Sequence, residues 1–171
     1  MANLLAIGAL AGCGQGAATA PRTVSPSTDH ASLSADADAD SGHGTVAVWR
    51  LDPRSKPAKS SRRVAALVSR LACSGGESGQ PETPSIEFDG SRVIVTFRTP
   101  PLPPDAFYTC QGNEEVPYRI RLPRSLGKRA LFDGQCLHGP GAKGTAYCRP
   151  SGWRYSVGRT PWAPPWVQPR Q

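Results

Sequence analysis

No apolar run in this sequence is long enough to cross a bilayer. The stretch near its start, Leu4–Leu10, is interrupted by Gly8 and falls far short of the roughly 20 residues that a spanning helix needs. Also missing are a glycine-rich phosphate loop, a serine-hydrolase nucleophile elbow and a histidine-rich metal motif, so the enzyme classes defined by those motifs have no footing. Hydrophobic residues other than glycine make up 38% of the 171 positions. One modest core is what such a chain supports. Lysine is limited to Lys56, Lys59, Lys128 and Lys143, and beyond Val116 the one acid is Asp133.

Against these absences stand 18 glycines and 18 prolines. Backbone punctuation at that density favours a small, turn-rich β domain over a helical bundle. The formal net charge is +7, and ten basic residues follow Val116, among them Arg119, Arg121 and Arg124. Such a surface attracts anionic partners at long range, whatever fold lies beneath it.

Leu4–Leu10 has the length of an export-signal core, although no Lys or Arg precedes it, and it ends in Leu10-Ala11-Gly12-Cys13. That tetrapeptide resembles the lipobox of bacterial lipoproteins. The resemblance implies a signal peptide over residues 1–12, cleavage, and a mature chain beginning at a lipidated, palmitate-bearing Cys13. It places the protein on the extracytoplasmic face of the cell membrane, with the lipid bilayer as a partner and no nucleic acid expected. A single acyl chain anchors only marginally, so full lipid modification matters.

Residues 13–44 then read as a flexible spacer. The stretch "GQGAATAPRTVSPSTDHASLSADADADSGHG" is too poor in large apolar side chains to offset the entropy of ordering it. Asp36, Asp38 and Asp40, flanked by His30 and His43, hint at calcium or zinc, but the glycine turn and terminal Glu of a calcium loop are missing. The expectation is a solvated linker with no metal and no cofactor.

A β domain is expected over residues 45–150. "TVAVWRL" alternates as a strand, and "SSRRVAALVSRLAC" fits both helical and strand periods, with context favouring strand. "PSIEFDGSRVIVTFRTP" reads as a hairpin turning at Asp89-Gly90. Further strands are expected at "AFYTC", at Tyr118–Leu122, at Ala130–Phe132 and at Thr145–Cys148. Short strands at close spacing predict a mainly β fold, a small β-sandwich or barrel-like domain.

With Cys13 set aside, Cys73, Cys110, Cys136 and Cys148 remain, an even number that points to disulfides in an exported domain. Three connectivities are open, of which Cys73–Cys110 and Cys136–Cys148 are preferred. The first joins two loop-like sites flanking the hairpin, and the second closes the glycine-rich "LHGPGAKGTAY". The segments "VAVWRLDP", "LVSRLACSGG", "VIVTF", "CQGNEEVPY", "PLPP" and "LGKRALFDGQC" together resemble a group of small lipoproteins of high-GC Gram-positive bacteria. That resemblance, over about Thr45–Cys148, implies architecture rather than activity.

Cys136 and His138 could pair as nucleophile and base, or join Cys148 as zinc ligands, but no oxyanion hole, orienting group or fourth ligand accompanies them. A structural disulfide is the stronger reading. Adjacent Glu114 and Glu115 cannot flank one glycosidic bond from an extended strand and read as a solvated turn. In the tail, residues 151–171, Trp153 and Tyr155 either finish a strand or, with Arg154, Trp162 and Trp166, meet sugar rings or a membrane interface. The expected function is a non-enzymatic binding or structural module of the cell envelope. It would present Arg119, Arg121, Arg124, Trp153 and Tyr155 to an anionic wall polymer or another envelope protein; the alternative is an envelope enzyme acting on cell-wall polymers.

Overall fold

The computed structural model describes residues 44–164. Cys13, the spacer with its aspartates and histidines, and Trp166 lie outside the described residues. In chain order the elements are β1 Thr45–Leu51, β2 Arg63–Arg70, β3 Ser85–Asp89, β4 Arg92–Thr99, β5 Val116–Arg121, β6 Ala130–Asp133, a short helix α1 Gly134–His138, a 3-10 turn Ala146–Cys148 and β7 Trp153–Tyr155. The fold is mainly β: a seven-stranded sheet in the order β5-β2-β1-β4-β6-β7, with β3 also paired to β4.

Alternation along β1 sends Ala47, Trp49 and Leu51 to one face, where they meet Val64, Ala66 and Val68 of β2. Val93, Val95 and Phe97 of β4, Ile120 of β5, Leu131 of β6 and Tyr155 of β7 join the same buried cluster. One face of the sheet thus encloses the main core of a mainly β, disulfide-bearing domain, as expected, and among the described residues the strand order stays open, ending at β5 and β7. Antiparallel partners on both sides, β1 and β5, hold "RVAALVSR" extended. The helical preference of Ala, Leu and Arg is weak beside two ladders of backbone hydrogen bonds.

The hairpin forms as expected, with one adjustment: Asp89 pairs with Arg92, so the loop itself is Gly90-Ser91, with Gly90 at a φ of 51°. That left-handed conformation is why glycine stands there. Two expected strands do not form. "AFYTC" is irregular, held by the turn bond from Ala106 N to Pro103 O, and Phe107 projects fully into solvent. Its approach through Pro100, Pro101, Pro103 and Pro104 removes the N–H donors a ladder requires. Thr145–Cys148 closes as a 3-10 turn, because Cys148 N donates to Thr145 O at 3.0 Å. Within the segment set apart as a tail from Ser151 onward, Trp153–Tyr155 forms β7 and belongs to the sheet, the reading in which these residues finish a strand.

β4 is shared along its length. Its Phe97–Thr99 end pairs antiparallel with β1, while Arg92–Val95 pairs parallel with β6 on the way to α1. Where β1 departs from β4, the indole Nε1 of Trp49 donates to Val95 O at 3.0 Å and bridges the fork. Trp49→Phe leaves that buried carbonyl without its donor and is expected to destabilise the domain by about 1–3 kcal/mol. Urea denaturation with the disulfides intact measures this.

Candidate functional site

Two places gather chemistry: a buried ionic cluster at the fork of the sheet and an arginine-bearing groove at its edge. The first is built on Asp133, the last residue of β6 and the N-cap of α1. Its side chain is 0% exposed, as is that of Arg154 on β7. Asp133 Oδ1 accepts from Gln135 N at 3.0 Å, the capping bond expected where Asp precedes a helix. Oδ2 accepts from Trp49 N at 3.0 Å and from Arg154 Nη2 at 2.9 Å. The carboxylate therefore closes β1, β6, α1 and β7 around one point.

Arg154 Nη2 also lies 3.4 Å from Cys136 Sγ, and the face of its guanidinium is covered by Trp162, 4.4 Å from Cζ to the ring centroid. Cys136 is bonded to Cys148, and Cys73 to Cys110, the preferred connectivity of the three. Gly152 makes the close packing here geometrically feasible. It takes a φ of 74°, and a Cβ at its position would come within 2.7 Å of Cys136 Cβ. The second disulfide closes a segment whose side chains cover the outer face of β1, where Val48 packs with Cys136, Ala142 and Cys148.

These contacts assign the sequence's catalytic candidates to structure. Cys136 has no thiol to offer as nucleophile or zinc ligand, and His138 stands exposed at the end of α1. Among the described residues no group of three or more His, Cys, Asp or Glu side chains is gathered for a metal. Glu115 is not simply solvated: Arg50 grips both its oxygens, Nε to Oε1 at 2.6 Å, and ties β1 to the segment before β5. Asp133, isolated among basic residues in the sequence, is the partner of a buried arginine.

Of the expected binding surface, Tyr155 is withdrawn: it is 6% exposed and donates its hydroxyl to Pro57 O at 2.8 Å. Trp153 is half-buried, with its indole donating to Ser156 Oγ at 3.0 Å and Arg159 over its ring at 5.8 Å. Arg124 is exposed, but its guanidinium rests on Phe88, 4.3 Å from the ring centroid. Arg119 and Arg121 are exposed on β5 and form no ion pair among the described residues. They line a groove of about 250 Å³ between β5 and β3, with Thr83, Pro84, Ile86 and Tyr118. The arginines stand out in the sequence by their isolation from acid, whereas their nearness to β3, about thirty residues earlier in the chain, does not.

Burial pushes the Asp133 carboxyl above its ordinary value and the Arg154 guanidinium below its own, each opposed by the partner's charge. Arg154→Met removes that opposition and leaves a lone buried carboxyl. The loss is expected to reach about 3–5 kcal/mol near neutral pH. Below about pH 4 the carboxyl is protonated in folded and unfolded chains alike, so the deficit shrinks there. It grows as pH rises toward the raised folded value, because only the unfolded chain then releases the proton. Denaturation midpoints from pH 3 to pH 7 test the sign.

Replacing Cys136 and His138 separately sorts structure from chemistry. Cys136→Ala is expected to lower stability by about 2–4 kcal/mol through loss of the cross-link, while His138→Ala leaves the thermal midpoint unchanged. Compared with family models, curated proteins and solved structures, the chain has no match.

Proposed function

We propose that the chain is a membrane-anchored envelope lipoprotein whose β domain is a non-enzymatic binding module presenting a basic face to a polyanionic partner. The observation that carries this reading is the pairing of all four described cysteines in two disulfides. Such bonds persist outside the reducing cytoplasm. They stand in the same chain as Leu10-Ala11-Gly12-Cys13, whose small residues before a cysteine match the requirement for lipid attachment. The fifth cysteine is then the anchor, acylated Cys13 in the bilayer.

The arrangement of side chains supports binding over turnover. The Cys136–His138 pair lacks a thiol, and the buried carboxylate of Asp133 is saturated by two backbone donors and a guanidinium. By contrast, Arg119 and Arg121 project to solvent without a carboxylate partner among the described residues. Exposed, uncompensated arginine favours encounter with polyanions.

Intact-mass analysis of protein from a membrane fraction, without reductant, decides the anchoring. The expected mature chain begins at acylated Cys13 and lacks four further thiol hydrogens. Retention of Met1 with a bare Cys13 and free thiols overturns the reading.

A further inference from the structure

We infer that the groove between β3 and β5 is a binding site for an acidic polysaccharide, with Arg119 and Arg121 on its carboxylates and Ile86 and Tyr118 beneath a sugar ring. This deepens the reading of a basic binding face and rests on it. The two arginines alternate with Ile120 on one strand, so their side chains leave the same face about 7 Å apart. On the neighbouring strand Arg63 stands directly opposite Arg121. Cross-strand partners on one face have Cβ atoms about 4.5–5.5 Å apart, and like charges so placed destabilise the sheet. The fold carries this repulsion with no acid paired to Arg63, Arg119 or Arg121 among the described residues. An anionic ligand supplies the missing charge, and arginine's planar fork accepts a carboxylate bidentately.

The rest of the groove selects within polyanions. Ile86 and Tyr118 are half-buried, and Tyr118 is held edge-on against Phe97 at 5.0 Å between centroids. They offer a firm apolar floor, which suits the carbon face of a sugar. Among the described residues β5 ends the sheet order and β3 pairs only with β4, so each has an edge without a ladder partner there, whose backbone groups could serve hydroxyls. An acidic peptide adding as a strand fits less well. Pro84 stands before β3 and Pro117 lies within β5, and neither carries the N–H that edge pairing uses. The volume of about 250 Å³ is below the roughly 300–1,000 Å³ of enclosed small-molecule sites. That size suits one unit of a longer polymer rather than a whole enclosed ligand.

The test titrates the purified full chain, at fixed ionic strength, with polygalacturonate, neutral dextran, polyglutamate and single-stranded oligothymidylate. Polygalacturonate is expected to bind and dextran not. Arg119→Gln with Arg121→Gln is expected to weaken polygalacturonate about tenfold or more, while Lys59→Gln with Lys143→Gln, both exposed elsewhere, leaves it unchanged. Arg63→Gln should weaken binding and also raise the melting temperature, because it relieves the cross-strand repulsion. If the chain binds no polyanion, both this site and the basic-face reading fall. If polygalacturonate binds but the arginine double variant binds as tightly, the groove is wrong while the basic-face reading stands. If polyglutamate or oligothymidylate binds as tightly with the same sensitivity to the variants, the assignment to polysaccharide is overturned.

Discussion

The carboxylate of Asp133 sits where the sheet divides, and the course of four elements depends on its three hydrogen bonds. β4 cannot pair with β1 and β6 over the same residues, so β1 leaves with the N–H of Trp49 unmatched by a ladder partner. Asp133 Oδ2 takes that donor, while Oδ1 caps α1 and Arg154 supplies the counter-charge. Burying two charges costs several kcal/mol per ion, and their attraction offsets this only with good geometry and full hydrogen bonding. What the carboxylate supplies is direction: an apolar residue of equal volume could fill the space but could not accept from Trp49, Gln135 and Arg154 together. The arrangement fixes which strand lies beside which.

From that point outward the domain is cross-braced. Arg154 reaches the sulfur of Cys136 and lies beneath Trp162, so the ionic cluster, the second disulfide and the residues after β7 share one packing unit. On the other side of β2, Arg70 threads between loops, donating to Ser78 O at 3.2 Å and Pro100 O at 2.9 Å. Asn113 completes this side by donating to Arg70 O and Ala72 O, close to the Cys73–Cys110 bridge. Polar side chains do much of the fastening here, as expected in a small domain with a limited core. Among the described residues, the two edge strands β3 and β5 are left beside a groove whose Arg119 and Arg121 have no acidic partner.

Much of the architecture is legible in sequence because its signals are local. Period-two alternation in Thr45–Leu51 and Arg92–Thr99 encodes strands directly, and Gly90 marks the turn between β3 and β4. The short helix at Gly134–His138 is not legible, since five residues carry no helical period and the capping role of Asp133 depends on what surrounds it. The error at "AFYTC" has a local cause that outweighs its β-forming residues: prolines before it and a disulfide at Cys110 hold it away from any strand. Tyr155 and Arg154 show the reverse case. A polar, aromatic stretch that resembles a surface tail enters the core because β6 offers it an edge and Asp133 a charge.

The sequence by itself determined the mainly β character, the four cysteines after Cys13 that stand behind the disulfides, and the concentration of arginine after Val116. Each of these is a property of residue type and near spacing. Only the tertiary structure decided that Asp133 and Arg154 meet, that Tyr155 turns inward, and that Arg119 and Arg121 line one groove with Ile86. Those outcomes depend on pairings between strands distant in the chain, where the energy of a charge or a ring is set by what the fold brings beside it rather than by its neighbours in sequence.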